Sequence, residues 1–214
     1  MVKLSSSALK VFRECARCFW LAHNQKLKRP EGIFPSLPSG MDKVLKAHFD
    51  AFRDKGKLPP ELKDLTDVKL FDDVSLLSVW TNNFKGITWT DPQGHVLKGA
   101  VDYVLVKGKK LIVLDFKTRG YPTKADTHEH YRTQLDLYSL LFQKNGREPA
   151  DHGYLLFFWP ASYGLGMANF KTELIRMDVS PSRGMSVLKQ AHDIIVAPKP
   201  EAHAMCEYCN YRES

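Results

Sequence analysis

The chain has 214 residues, 43% of them hydrophobic, and its 31 lysines and arginines against 24 aspartates and glutamates give a formal net charge of +7. This size and apolar content suit one domain with a sizeable core, and we expect a single domain over residues 1–214. No apolar run reaches the ~18 residues that span a bilayer, and the first residues lack the apolar core of a signal peptide. The sequence therefore predicts a cytoplasmic protein without a membrane partner, and its positive charge modestly favours a polyanionic partner.

The first predicted element is a helix over Ala8–Leu21, preceded by three serines suited to cap it. It carries Cys15 and Cys18, and a second CxxC pair, Cys206 and Cys209, follows a proline-containing tail. In a reducing compartment this spacing indicates thiolate ligation of a metal rather than disulfides. We expect the pairs to form a clasp between the two ends of the chain. Tetrahedral zinc and an iron–sulfur cluster both fit four thiolates, and buried free thiols are the alternative.

Proline and glycine over residues 30–40 predict a loop, and Met41–Arg53 then has the pattern of an amphipathic helix. His48 lies on the apolar face of that helix. A lone histidine there is more often a core residue than a metal ligand. The pattern next predicts a helix over Val74–Trp80 and strands from Ile87 onwards.

Two runs rich in β-branched residues, Ala100–Val106 and Leu111–Phe116, flank a Lys-Gly-Lys-Lys turn and predict a β-hairpin. Counting back from the turn puts Asp102 opposite Asp115, with Lys117 on the same face. Like charges in opposite positions destabilise a sheet, so a shared proton or a divalent cation is expected to relieve this pair. A solvated edge whose charges oppose aggregation is the alternative.

Four further elements follow the hairpin: a helix over His128–Phe142, strands over Gly153–Trp159 and Phe170–Met177, and a helix over Ser186–Val196. Gln134 and Tyr138 lie four residues apart on the first of these helices, so they share one face. Together the elements predict an α/β fold with a mixed central β-sheet flanked by helices.

Three short motifs carry a resemblance to a known family. Gly99–Asp102 resembles a GxxD element, Asp115–Lys117 a DxK signature and Gln134–Tyr138 a QxxxY motif of the PD-(D/E)XK nuclease superfamily, in the branch of the RecB, AddB and Cas4 nuclease domains. Their order, the upstream helix with a histidine and the CxxC pair near each end make the combination specific. The resemblance spans nearly the whole chain and implies a restriction-endonuclease-like core.

The resemblance implies a deoxyribonuclease, most simply an exonuclease, that hydrolyses phosphodiester bonds with Mg²⁺ or Mn²⁺. It assigns Asp102, Asp115, the backbone carbonyl of Phe116 and the upstream His48 to the metal. Lys117 would orient the attacking water or offset charge in the transition state.

The same resemblance adds Gln134 and Tyr138 to the expected catalytic set, because the family uses QxxxY to position metal-bound water or DNA. Relatives bind a [4Fe-4S] cluster with one N-terminal and three C-terminal cysteines; this chain has two and two, and the resemblance favours the cluster over zinc. The expected partner is DNA, single-stranded or with duplex ends. Since a Walker A loop is missing, a helicase or another repair, defence or CRISPR protein would supply any translocation. The alternative is a non-catalytic nucleic-acid-binding module with a structural metal.

Overall fold

The computed structural model describes residues 2–30, 32 and 35–209. Within these residues the helices are α1 (Ser6–Glu14), α2 (Ala16–Asn24), α3 (Ser36–Arg53), α4 (Val74–Trp80), α5 (Arg132–Lys144) and α6 (Pro181–Val196), with short 3-10 turns at Pro60–Leu62 and Thr127–Tyr131. The strands are β1 (Lys3–Ser5), β2 (Lys69–Leu70), β3 (Ile87–Thr90), β4 (Val96–Gly99), β5 (Tyr103–Lys107), β6 (Lys110–Thr118), β7 (Glu148–Pro149), β8 (His152–Gly164) and β9 (Met167–Asp178). None of the described helices is long and apolar enough to cross a membrane.

The strands form two sheets. The larger has the order β2-β5-β6-β8-β9, with the short β7 beside β6, and the smaller has the order β1-β4-β3. In the larger sheet β6 is antiparallel to β5 and parallel to β8, and β9 returns antiparallel to β8. The predicted α/β class with a mixed sheet and flanking helices is therefore confirmed.

The predicted hairpin is present as β5 and β6. Lys107 lies opposite Lys110, and Gly108 between them has a positive φ of 60°, which glycine adopts without strain. The ladder of paired residues ends at Tyr103 and Leu114. Successive side chains of β6, such as Val113 and Leu114, point to opposite faces of the sheet and both are buried, so the larger sheet is covered on both faces.

The sequence predicts one helix in the first part of the chain, where the structure has two. The continuous helix expected over Ala8–Leu21 breaks at Cys15, whose φ of −162° and ψ of 108° are extended. The thiol of Cys15 accepts a 3.4 Å hydrogen bond from the amide of Cys18 and so caps the start of α2. The apolar periodicity continues through the break, which is why the pattern alone did not reveal it.

The predicted loop over residues 30–40 is also partly wrong, because α3 begins at Ser36. Pro38 lies in the first turn of α3, where backbone N–H groups have no partner within the helix, so its missing N–H costs nothing there. Residues 31, 33 and 34 of the predicted loop lie outside the described part of the chain.

Helix α5 is the centre of the core. Every side chain from Leu135 to Phe142 is buried, and the helix packs against α1, α6, β3, β4 and β6. A charged side chain is part of this buried run: Asp136 accepts hydrogen bonds from the backbone N–H of Ser180 and twice from the guanidinium of Arg183. This pairing fixes α6 against α5, and α5 in turn presents its first polar residues to the end of β6.

Candidate active site and cysteine cluster

Two carboxylates and an ammonium group meet at the end of the β5–β6 hairpin. Extending the register by one pair puts Asp102, just before β5, opposite Asp115 on β6. The side chain of Asp115 is only 1% exposed, and its Oδ2 forms an ion pair with Nζ of Lys117. Oδ2 of Asp102 accepts a 2.8 Å hydrogen bond from the backbone N–H of Phe116. The structure thus brings together the three charged residues that the hairpin count predicted.

The charges at this point affect one another strongly. Burial and the neighbouring Asp115 carboxylate raise the pKa of Asp102 to about 7, although Lys117 and Lys46 oppose the shift. Burial works against the charged form of Lys117, but Asp115 and Asp102 outweigh it and raise the pKa of Lys117 above its usual value. Lys117 is therefore an ammonium ion at neutral pH, suited to donating hydrogen bonds and offsetting negative charge.

The QxxxY pair holds Lys117 in place. Nζ of Lys117 donates to Oε1 of Gln134 at 3.1 Å, and Nε2 of Gln134 donates to the hydroxyl of Tyr138 at 2.9 Å. The ring of Tyr131 covers the ammonium at 4.6 Å. Gly99 lies against Tyr138 so closely that a Cβ there would approach the ring to 2.7 Å. The GxxD and QxxxY motifs are therefore in direct contact.

His48 lies elsewhere on α3. Its Nε2 is 3.2 Å from a carboxylate oxygen of Glu61, and its ring packs edge-on against Phe52. Among the described residues, His48 does not form a group of close ligand atoms with Asp102 and Asp115. Its assignment to the metal stays a prediction.

Instead, α3 presents two other residues to the acids. Nζ of Lys46 is 3.8 Å from Oδ1 of Asp102 and 2.9 Å from Oδ2 of Asp42. The carboxylate of Asp42 also contributes to the raised pKa of Asp102. Sequence reasoning missed both residues. Their four-residue spacing shows that they share one face of the helix, but not that this face meets the acid pair.

A cavity of about 270 Å³ opens beside Lys117 and Gln134. Its wall includes Lys10 and Arg13 from α1 and His130 from the turn before α5. Cationic side chains around an opening next to the paired carboxylates favour an anionic ligand at this point.

The four cysteines form a buried cluster, as predicted for a clasp. Sγ of Cys15 is 3.5 Å from Sγ of Cys209, and Sγ of Cys18 is 3.6 Å from that of Cys206 and 3.9 Å from that of Cys209. All four sulfurs lie within 4.8 Å of one another. The break at Cys15 makes this possible, because it turns both N-terminal thiols towards the C-terminal pair.

The surroundings of the cluster stabilise negative charge unevenly. Burial raises the pKa of Cys18 to about 12, whereas hydrogen bonds from the Cys209 amide and the Cys18 thiol overcome the effect of burial and lower the pKa of Cys206 to about 7. Nη2 of Arg29 also lies 3.8 Å from Sγ of Cys206. A guanidinium beside the thiols fits a site whose metal-bound form carries several thiolates.

Comparison with known proteins decides the family. A model of the PD-(D/E)XK nuclease superfamily matches residues 42–214, which include the paired acids, the lysine and the second cysteine pair. The chain belongs to this superfamily. A search of curated proteins found no match. The resemblance read from the three motifs is thereby confirmed at the level of the superfamily.

PD-(D/E)XK proteins are nucleases that cleave phosphodiester bonds with the help of divalent metal ions, so nucleic acid is the substrate class of this chain. The residues present fit such a metal. Among the described residues, the one polar contact of the buried Oδ2 of Asp115 is the Lys117 ammonium, so this oxygen has lone-pair capacity left for a metal ion. Two carboxylates side by side offer the oxygen ligands that Mg²⁺ and Mn²⁺ prefer.

Proposed function

We propose that this protein is a metal-dependent deoxyribonuclease, related to the RecB, AddB and Cas4 nuclease domains, that degrades DNA from its ends. The observation that carries the proposal is the contact between all three motifs. Asp102 of GxxD lies beside Asp115 of DxK, and Lys117 is hydrogen-bonded to Gln134 of QxxxY. A protein that only binds nucleic acid has no need of two opposed, poorly solvated carboxylates.

Asp102 and Asp115 would hold Mg²⁺ or Mn²⁺. The backbone of Phe116 supports this assignment, because its N–H donates to Asp102 and the carbonyl of a residue in an extended strand points to the same side as its N–H. When bound, such an ion lowers the pKa of water and stabilises charge on the phosphoryl oxygens.

The protein's own groups do the positioning. Lys117, charged at neutral pH, donates to the attacking water or to a phosphoryl oxygen, where it offsets the charge that develops in the transition state. Gln134 and Tyr138 keep the ammonium at this place through two hydrogen bonds in series. Lys10 and Arg13, at the mouth of the adjoining cavity, bind the phosphates that flank the cleaved bond.

A third metal ligand from α3 completes the proposal. Two residues of α3 are candidates for this ligand. The family resemblance assigns His48, whereas Asp42 is linked to Asp102 through Lys46. We expect Asp42→Asn to reduce cleavage more than His48→Gln, because Asp42 is the residue of α3 that shares an ammonium with the acid pair. Equal losses in the two variants would contradict this preference.

The experiment follows end-labelled single-stranded DNA, duplex DNA and RNA with Mg²⁺, Mn²⁺ or EDTA. The wild-type protein should release short products from DNA in a metal-dependent reaction. Asp115→Asn and Lys117→Ala should reduce the rate by at least about 100-fold, as expected when charge stabilisation of a transition state is lost. DNA binding should remain in both variants.

Two control variants match these changes. Lys110→Ala removes a lysine from the other end of β6, and Asp151→Asn removes an exposed carboxylate, so both should cleave normally. Undiminished cutting in Asp115→Asn and Lys117→Ala would refute the assigned site. Intact DNA under every condition, with binding retained, would favour the non-catalytic binding module.

For the cysteine cluster we infer a single tetrahedral ion, zinc, in place of the iron–sulfur cluster that the family resemblance favours. Four thiolates at 2.3 Å from one zinc ion lie about 3.8 Å apart, close to the 3.5–3.9 Å separations of three thiol pairs here. Each thiolate of a [4Fe-4S] cluster binds a different iron atom, which spreads the sulfurs further. Anaerobically purified protein should be colourless with one zinc per cluster; brown protein that contains iron would restore the iron–sulfur assignment.

A further inference from the structure

A second group of side chains of metal-ligating type lies where α6 meets the smaller sheet, outside the three nuclease motifs. Asp91 and His95 flank the turn between β3 and β4, and His192 faces them from α6. One ligand atom of each residue lies within 4.8 Å of those of the other two. All three line a cavity of about 840 Å³, so the group is open to small solutes.

The carboxylate of Asp91 is held by backbone N–H groups and has no lysine or arginine partner among the described residues. Its side chain is 8% exposed, and Oδ1 accepts hydrogen bonds from the backbone N–H groups of Gln93 and His95 at 2.9 and 2.8 Å. Oδ2 faces Nδ1 of His192 at 3.8 Å, beyond hydrogen-bond distance. No ion pair with a lysine or arginine of the described chain is found for this carboxylate, and the basic group that faces it is the His192 imidazole.

The two imidazole rings pack closely against each other. Their centroids are 4.4 Å apart, with an interplanar angle of 50°. Nε2 of His192 is buried and has no hydrogen-bond partner among the described residues. A buried imidazole that leaves a ring nitrogen without a partner is suited to bind a transition metal.

His95 has one competing contact. The backbone N–H of Val2 donates to its Nδ1 at 3.2 Å, so this nitrogen carries no proton in the metal-free ring. Metal binding replaces that single long hydrogen bond, either at Nδ1 itself or after the ring turns over to present the other nitrogen. Losing this hydrogen bond costs little free energy compared with what a metal–nitrogen bond contributes.

We propose that Asp91, His95 and His192 form a second metal site, for Zn²⁺ or a similar imidazole-binding divalent cation. The ion neutralises the carboxylate of Asp91 and binds one ring nitrogen of each histidine, and it joins the β3–β4 turn to α6. Two imidazoles and a carboxylate suit zinc and discriminate against Mg²⁺, which takes oxygen ligands. Three protein ligands leave a fourth position, which the cavity opens to water or a small anion.

The test measures zinc in the full-length chain after dialysis against buffered free Zn²⁺. Wild-type protein should hold one zinc per chain more than His192→Gln or His95→Gln, with the content of the cysteine cluster unchanged. Competition with a chromophoric chelator should show that these two variants bind zinc at this site about 100-fold or more weakly than the wild type. A loss of this size exceeds what is expected when a residue that only hydrogen-bonds to a metal ligand is removed.

His152→Gln is the matched control, because this side chain is similarly buried, at 14% against 19% exposed for His192, and pairs with Asp151 elsewhere. It should keep the wild-type zinc content. Cadmium NMR on the wild-type protein needs no variant: it should show a signal from a nitrogen- and oxygen-bound ion besides the thiolate-bound one. The same zinc content in all four proteins, or a thiolate signal alone, would overturn the proposal.

Discussion

The negative charge of Asp102 at the candidate site lowers the free energy of unfolding of the protein. Burial and Asp115 raise its pKa to about 7, from 3.8 for an ordinary aspartate. Between these values the folded chain binds more protons than the unfolded chain at this residue, so its stability falls as the pH rises from about 4 to 7. Sites that bind a charged ligand commonly carry such a cost.

We therefore expect Asp102→Asn to stabilise the metal-free protein at pH 8 and to leave it nearly unchanged at pH 4. At about 1.4 kcal/mol per pKa unit, the gain is at most about 4 kcal/mol. The amide oxygen still accepts the hydrogen bond from Phe116, so only the charge is removed. Urea unfolding at both pH values measures the effect. Asp151→Asn, an exposed control, should show no gain at pH 8, and a loss of stability in Asp102→Asn at pH 8 would contradict the argument.

The sequence predicted the acid pair and the lysine because a tight hairpin is a local structure. The turn fixes the register, and the register fixes which side chains face each other, so Asp102, Asp115 and Lys117 could be placed by counting. Asp42 and Lys46 could not, because their position depends on how α3 packs across the sheet. That packing angle is set by tertiary contacts, which no spacing within the helix reveals.

Among the elements, α5 and α6 are held together by a buried ion pair. Asp136 is 5% exposed and takes two hydrogen bonds from Arg183, which is itself 46% exposed. The guanidinium of Arg183 contacts both carboxylate oxygens of Asp136 and so offsets the free-energy cost of burying this charge. Since α5 also carries Gln134 and Tyr138, the pair stabilises the helix that positions Lys117.

Arg183→Ala should destabilise the protein by roughly 3 kcal/mol, because it leaves Asp136 buried with the Ser180 N–H as its one donor among the described residues. Arg176→Ala is the matched control. Arg176 is 51% exposed and pairs with Asp178 at the surface, so its loss should cost less than about 1 kcal/mol. Chemical denaturation of the two variants gives the comparison, and equal costs would show that the buried pair is not what fixes α6.

Element boundaries show where pattern reasoning stops. Val74–Trp80 was predicted with its observed bounds, and in the structure the side chain of Asp73 accepts a hydrogen bond from the backbone N–H of Leu76 and caps this helix. The helix through Cys15 was predicted as continuous, since thiol capping has no counterpart in helix periodicity. The break follows from the demand that four sulfurs meet, a contact between residues almost two hundred positions apart in the chain.

At the scale of the whole molecule, the cysteine cluster ties the first helices to the last described residues. Cys15 and Cys18 bracket the break between α1 and α2, and Cys206 and Cys209 follow the segment after α6. A metal bound by all four thiolates would make them one thermodynamic unit, because losing any ligand opens the site. Four separately packed thiols would contribute independently, as small buried side chains do.

A double-mutant cycle distinguishes these cases. Cys18→Ser and Cys206→Ser should each destabilise the protein by about 3 kcal/mol or more through loss of the metal, and the double variant should be little worse than either one. Met205→Ser, at a side chain that is 88% exposed beside the second pair, should have almost no effect. If the costs of the two cysteine changes simply add, the thiols act separately and no metal joins the two ends of the chain.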